Sequence, residues 1–507
     1  MIRRFVVILL LAGTCLGQTP GAMKRQDDAA AKKDTAAAAF DKRYKDQTPA
    51  PGSEAAVRRM IAELQAGAPN YDLMSPSLAD ATRQQLTGIQ SMFNGMGPLQ
   101  SVIFKGVGPG GADIYQVNFE KASIDYRIWL SADGKVDSAN MRPSDSPAPI
   151  VAVTAEALQP QITKVDAMIA AEVARNPIGS VTAGIVSGKQ LIWTKSYGDA
   201  DMEKKIPAGA DTVYRIGSIT KMFTALMLEQ LVEAGKVHLS DPVEKYFPEI
   251  KQVKGAFLDA PPITLIQLAT HTSGLGVEPD DIAIATAGPV AEWEKTLIAA
   301  LPHLKYDFEP GTRFSYSNIG YAILGAALSR AAGESYVDYV PKHIFAPLGM
   351  THSALQWNAE MATHLAKGYQ VMGPGKVDSA TPQRENENGR GYKVPNGAIY
   401  TTVGDLARFA SFEMGQGPDV VLKKASLDRF QRQTIVPADI GLTSGYGIGF
   451  KVDRRDGYVA FGHGGAVAGY TSALMMNRAK GIGVIVFSNG AANPDGIANQ
   501  VLDILSK

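Results

Sequence analysis

Apolar residues recur at helical spacing in Ala55 to Leu64 and in Leu78 to Phe93, then at strand spacing in Ser101 to Gly106, Ile114 to Phe119 and Ile124 to Leu130. A turn at Ala132-Asp133-Gly134-Lys135 leads into a further run, Val136 to Met141. The pattern predicts a small α+β unit over 54–145, two helices followed by an antiparallel sheet. Three prolines within Arg142 to Pro149 mark a linker, taken as 146–154. A larger unit, 155–507, opens with an amphipathic helix at Ala155 to Arg175 and a hairpin of Val181 to Val186 with Gln190 to Tyr197, joined through Ser187-Gly188-Lys189. Strand patterns return only near the end, at Tyr446 to Val452, Tyr458 to Gly462, Thr471 to Met476 and Gly483 to Phe487, before a terminal helix through Ile497 to Leu505. Strands at both ends predict a sheet completed by the two termini of this unit, with a helical subdomain between them.

One helix of that subdomain has almost no polar face. Ile219, Met222, Phe223, Ala225, Leu226, Met227, Leu228, Leu231 and Val232 follow Ser218, and Gly235 supplies the stop. Such a helix is buried on all sides. A second helix opens at Thr264 with Gln267 three residues on, the spacing of a capping box, and runs into Ala269-Thr270-His271-Thr272-Ser273-Gly274-Leu275.

The first residues add a leader. Arg3 and Arg4 precede the apolar run Phe5 to Ala12, too short for a permanent membrane span and of the length of a signal-peptide core. Export to the periplasm or medium is the expectation. Cleavage falls either after Gly17 or just before Cys15, and in the second case the cysteine carries a lipid and tethers the protein to a membrane. Residues 18–53, rich in Ala, Lys, Asp, Gln and Pro, read as a solvated tether.

Composition narrows the classes. Fifty Lys and Arg balance fifty Asp and Glu, so no net charge points to a nucleic-acid partner. Cys15 is the only cysteine, which excludes an intrachain disulfide and a thiolate metal cluster. The chain contains no G-x-S-x-G elbow, H-E-x-x-H helix or phosphate-binding G-x-x-x-x-G-K-[ST].

Three short motifs each occur once. Ser218-Ile219-Thr220-Lys221 is the only Ser-x-x-Lys. Residues three apart share a helix face, so the amine reaches the hydroxyl, and burial lowers an ammonium pKa from its ordinary value of about 10.4. Alternatively Ser218 is an N-cap and Lys221 a first-turn surface residue. Tyr316-Ser317-Asn318 follows the turn at Pro310-Gly311, offering a phenol that can relay a proton and an amide that can orient it, or else a core tyrosine beside an asparagine N-cap. Gly462-His463-Gly464-Gly465-Ala466 ends a strand pattern, and its glycines admit a ligand close to the backbone, unless the stretch is a β-turn with an exposed histidine. His271 reads as structural, and the remaining histidines show no ligand spacing.

Taken together, Ser218-x-x-Lys221, Tyr316-x-Asn318 and His463-x-Gly465, in that order, resemble the penicillin-recognising serine hydrolases: class C β-lactamases, D-alanyl-D-alanine carboxypeptidases, D-aminopeptidases and related esterases. Pro347-Leu348-Gly349-Met350, Pro395 to Tyr400 before Asp405-Leu406, and Tyr446 to Phe450 agree with it. The resemblance implies a β-lactamase/transpeptidase-like α+β fold and no cofactor or metal. It implies Ser218 as nucleophile, Lys221 with Tyr316 as the proton carriers, Asn318, His463, Gly464 and Gly465 as substrate-binding residues, and the N–H groups of Ser218 and Ala466 as oxyanion hole. His463-Gly464-Gly465 stands where the β-lactamases usually have Lys-Thr-Gly. A histidine of ordinary pKa near 6.5 is mostly neutral at pH 7.5 and anchors a carboxylate poorly. The expected substrate is therefore an ester or a D-amino-acid peptide or amide, with a β-lactam as the alternative and a slowly acylated sensor as the alternative of another class. The small unit resembles, in topology alone, the cone-shaped nuclear transport factor 2-like and cystatin-like folds, and reads as an accessory or dimerising module.

Overall fold

The computed structural model describes residues 42–506 apart from 109, 121, 144–152, 258–259, 281–287, 374–375, 432–435, 439–442 and 456. The leader, Cys15 and most of the tether and linker lie outside the described residues. The chain divides into two compact units, the first within 1–148 and the second made by nearly all that follows.

In the first unit, α1 (Ser53–Ala66) stops at Gly67, whose left-handed backbone turns its N–H onto the carbonyls of Glu63 and Leu64. α2 (Pro76–Met96) starts with a proline in its first turn behind Ser75, whose hydroxyl accepts the N–H of Leu78. Four strands follow as a meander, β1 (Leu99–Val107), β2 (Asp113–Phe119), β3 (Ser123–Leu130) and β4 (Val136–Pro143), in the spatial order β1-β2-β3-β4. Val57, Ile61 and Phe93 of the helices pack with Tyr115, Val117 and Ile128 of the sheet.

In the second unit, α3 (Gln159–Arg175) precedes β5 (Ser180–Ser187), β6 (Gln190–Asp201) and the short β7 (Ile206–Pro207). A separate two-stranded ribbon joins β8 (Tyr214–Arg215) to β9 (Tyr400–Thr401). The chain closes with β10 (Val436–Pro437), β11 (Ser444–Tyr446), β12 (Lys451–Arg455), β13 (Tyr458–Val467), β14 (Tyr470–Asn477) and β15 (Ile482–Ser488). The sheet runs β10-β11-β12-β13-β14-β15-β5-β6-β7, antiparallel at every pairing. β15 pairs directly with β5, so the two ends of the unit complete one sheet. Every residue of β5 is buried, as its continuous SVTAGIVS run requires of a central strand.

Helices cover both faces of the sheet. α3 and the terminal helix (Pro494–Ser506) set Ile162, Val165, Ile169, Ile497, Val501 and Leu502 against Val181, Ala183, Ile185, Met475, Val484 and Val486. Residues 403–411 form a helix across β5 on the other face. It meets α4 (Thr220–Glu233) through stacked rings of Phe409 and Phe223, centroids 3.9 Å apart. α4 is buried along most of its length, in keeping with its apolar sequence. The capping box of α5 (Leu265–Ala269) forms at Thr264 and Gln267.

Two strand expectations need correction. Tyr446 to Val452 is not one strand: it breaks into β11 and β12 at a turn in which Gly447 N–H donates to the Phe450 carbonyl. Gly449 there has φ +80 and packs onto α4, where a Cβ would sit 2.4 Å from the Cβ of Ala225. Periodicity cannot register such a contact with another element. Likewise the strand expected over Tyr458 to Gly462 does not stop there; β13 runs on to Val467 and takes in Gly462 to Ala466, paired from Gly462↔Met475 to Ala466↔Thr471.

Candidate active site

The nucleophile candidate sits where strand, turn and helix meet. β8 delivers the chain to a 3-10 turn, Gly217–Ile219, that runs into α4. Backbone bonds fix the approach: Ile216 N–H donates to the Ile399 carbonyl at 3.0 Å, and Ser472 Oγ donates to the Ile216 carbonyl at 2.8 Å. β13 presses against this turn so closely that a Cβ on Gly465 would lie 2.0 Å from the Ile216 carbonyl oxygen, and one on Gly217 would lie 2.8 Å from Ala466 N. Only glycine permits that approach, and it sets Gly465 and Ala466 of β13 against the turn that carries Ser218. Ser218 is half-buried and open to solvent, whereas Lys221, one turn on, is fully buried.

Lys221 Nζ lies 3.1 Å from Ser218 Oγ, 2.8 Å from Asn318 Oδ1 and 3.2 Å from the Asn396 carbonyl oxygen. Burial, and then the positive charge of Arg390, hold its pKa well below the usual lysine range, with Lys393 and Lys451 acting in the same direction and Glu278 opposing them. A neutral amine carries two N–H donors and one lone pair. Asn318 and Asn396 supply acceptors for the two donors, which leaves the lone pair for the Ser218 hydroxyl. A surface lysine behind an N-cap is ruled out by this burial.

Tyr316 brings its hydroxyl within hydrogen-bonding reach of Ser218. Burial raises its pKa above the ordinary tyrosine value. Lys221 Nζ lies 4.8 Å from the centre of the Tyr316 ring. Asn318 is the first residue of α6 (Asn318–Ala332), and the N-cap is Ser317, whose hydroxyl accepts the Gly320 N–H, so the alternative of an asparagine N-cap does not hold. The Asn318 amide is held at both ends, Oδ1 by Lys221 and Nδ2 by Glu278 Oε1 at 2.9 Å. Glu278 in turn pairs with Lys393 at 3.0 Å.

The three motifs thus converge, with one difference in detail. His463 is 1% exposed, so it is not a turn residue in solvent. Its Nε2 lies 2.9 Å from the Tyr446 hydroxyl, and burial, then Lys451 and Lys221, keep the imidazole neutral. The part of this segment open to solvent is Gly465 and Ala466, whereas Gly464 is buried against Asp495.

Sequence reasoning missed Asn396, Glu278, Lys393 and Arg390 as members of the cluster. Asn396 lies in a Pro-Asn-Gly stretch that reads as a turn, and its amide Nδ2 also donates to the Asn318 backbone carbonyl at 2.8 Å. Glu278 and Lys393 stand at two ends of the loops 278–295 and 368–393, where no spacing joins them. Among the described residues no group of three or more His, Cys, Asp or Glu is placed to hold a metal ion.

A serine, a buried amine and a phenol close to one another, beside a strand packed tightly on the turn of the serine, make a serine hydrolase site of the penicillin-recognising type. The Beta-lactamase family model matches residues 165–505, and the chain belongs to that family. It is 30% identical over 363 residues to Beta-lactamase-like protein 2 of Dictyostelium discoideum, an alignment covering 69% of this chain and 63% of that protein. Protein flp of Staphylococcus aureus is 27% identical over 330 residues, covering 64% of this chain and 62% of flp. The chain thus spans less than two thirds of the length of these relatives. Among solved structures, an octameric penicillin-binding protein homologue from Pyrococcus abyssi aligns with TM-score 0.56 and 27% identity over 68% of this chain and 78% of that one. A class C β-lactamase aligns with TM-score 0.56 and 23% identity over 68% and 96%, a likeness of fold. Members of this family are serine hydrolases that act on small molecules such as β-lactams and peptides.

Proposed function

We propose that this protein is an exported serine hydrolase that forms an acyl-enzyme on Ser218 with esters or with D-amino-acid peptides or amides. The observation that carries the reading is the Lys221 amine, buried, with acceptors for both of its N–H groups and its third direction on Ser218 Oγ at 3.1 Å. The Ser218 hydroxyl proton passes to Lys221, with Tyr316 as the partner that delivers a proton to the leaving group. The oxygen attacks the substrate carbonyl, and the resulting oxyanion lies between the N–H groups of Ser218 and Ala466. Collapse expels the alcohol or amine, and water then attacks the ester on Ser218 by the reverse route. Proton transfer of this kind contributes about 10²- to 10⁴-fold and a single oxyanion donor roughly 3 kcal/mol.

The buried, neutral His463 supports esters and amides over carboxylated β-lactams, because no permanent cation stands where Lys-Thr-Gly would place one. Substrate contact at that strand then comes from the backbone of Gly465 and Ala466, and Asn318 orients the substrate amide. Arg3, Arg4 and the apolar run after them support export, and the small first unit fits an accessory module over 54–145. The test is turnover of a chromogenic short-chain ester, a D-alanyl-D-alanine peptide, a D-amino-acid amide and a cephalosporin by the wild-type protein and Ser218→Ala. Ester or D-amide turnover that vanishes in Ser218→Ala supports the proposal, a preference for the cephalosporin replaces the substrate class, and equal rates with and without Ser218 overturn the mechanism.

A further inference from the structure

His271 contacts the Tyr316 segment on both sides of the tyrosine. Its backbone carbonyl accepts the N–H of Ser315 at 2.9 Å, and its ring Nδ1 accepts the N–H of Ser317 at 3.0 Å. The imidazole itself lies against the phenol, ring centroids 4.2 Å apart, inside a cage completed by Tyr446 at 4.6 Å, Tyr321 at 5.0 Å and Phe314 at 6.0 Å. The residue is fully buried and adopts φ +58, a left-handed conformation uncommon for residues with a side chain, though His, like Asn and Asp, adopts it more often than the rest. Because Nδ1 accepts, Nε2 carries the proton, and Nε2 is buried without a hydrogen-bond partner. An unsatisfied buried donor and a left-handed backbone both oppose stability. A phenylalanine would avoid the first, so packing does not account for the histidine; its acceptor does.

We propose that His271 is a positioning residue for Tyr316. By holding the amides immediately before and after the tyrosine, it sets the depth and angle at which the phenol meets Ser218 and Lys221. The inference rests on the reading of Tyr316 as a proton carrier in the Ser218 reaction. The clamp needs a neutral imidazole, since a proton on Nδ1 would face the Ser317 N–H with a second donor. The charged and titratable groups around the ring, Lys221, His463 and Lys451 together with Tyr316, Tyr321 and Tyr446, include three bases and no carboxylate. Burial first, and then those bases, hold the imidazole well below its usual pKa, so the acceptor persists through the working range.

Two substitutions separate positioning from packing. His271→Asn tolerates the left-handed backbone and places its amide oxygen near the position of Nδ1; His271→Phe keeps a ring and loses the acceptor. With a chromogenic short-chain ester, His271→Phe is expected to lower kcat at least about tenfold with KM within twofold, and His271→Asn to restore most of the rate. In the Tyr316→Phe background the further loss from His271→Phe should shrink below about twofold, because the residue acts through the phenol. Equal losses in both backgrounds, or His271→Asn as impaired as His271→Phe, would overturn the proposal. Amide hydrogen exchange across 315–317 provides a readout independent of activity, faster in His271→Phe and near wild type in His271→Asn; no change in His271→Phe overturns the clamp. If Tyr316→Phe keeps the wild-type rate, the reading of Tyr316 fails while the exchange data still judge the contact. Should His271→Phe not fold, His271→Gln, whose oxygen takes the place of Nε2 and not of Nδ1, stands in for it.

Discussion

Lys221 and Glu229 lie on the same helix, eight residues and about 12 Å apart along its axis. Both are buried and both are driven toward their neutral forms, the lysine by burial and the charge of Arg390, the glutamate by burial and the charge of Glu413. The difference lies in what each one faces. Lys221 is held by two acceptors and meets a hydroxyl that is half open to solvent. Glu229 meets a second buried carboxyl, Glu413, whose Oε2 accepts the Gln431 amide at 2.8 Å and whose pKa is pushed up to about 7 by burial. A perturbed pKa marks a reactive site only where the group meets a nucleophile or substrate; otherwise it alters stability.

The comparison breaks most visibly at the lysine end. Ser218→Ala should lower turnover of any substrate by at least about 10³-fold while leaving the melting temperature within a degree or so of wild type. Lys221→Met should cost about 10² to 10⁴ in kcat, measured by initial rates on the same ester. Near-wild-type rates in either would show that the two ends of the helix do not differ in the way claimed.

Charge around Lys221 sharpens the contrast. The amine acts as a base only when deprotonated, so activity rises with pH through its pKa. Arg390 is the largest electrostatic cause of the lowered pKa after burial, and Arg390→Gln should therefore raise it and move the acid limb of the kcat/KM profile upward, on the order of one pH unit. An unmoved limb would assign that limb to another group.

The glutamate end should change stability and not rate. Carboxyls whose folded pKa is raised release their protons from the unfolded chain first. They therefore contribute stability below the unfolded value of about 4.5, and that contribution is lost as pH rises toward about 7 for Glu413 and toward the raised pKa of Glu229. Glu229→Gln is expected to raise the melting temperature at pH 8, to do so less at pH 5, and to leave kcat within about twofold. Thermal melts at the two pH values check the sign.

How much of this was legible in sequence follows from what each signal encodes. Ser218 and Lys221 share a helix face, a local relation, and the apolar run after them announced burial. That the two ends of the unit complete one sheet was readable because β5 and β15 carry strand patterns there. The Gly449 turn was not, since its cause is the surface of α4. Nor was the orientation of His463: glycines on both sides suggested a strand end open to a ligand, with an exposed turn as the alternative, while the hydroxyl of Tyr446 holds the ring inside. Asn396, Glu278 and Lys393 join the cluster across 40 to 175 residues of chain, beyond any spacing rule.

The central claim is that Ser218, activated by a neutral Lys221, becomes acylated. Mass spectrometry of the protein quenched during turnover of a chromogenic short-chain ester tests it most directly. The account predicts an added acyl mass on the peptide carrying Ser218, formed faster as pH rises and reduced in Lys221→Met. An adduct on another residue, or turnover at an unchanged rate in Ser218→Ala, would contradict it.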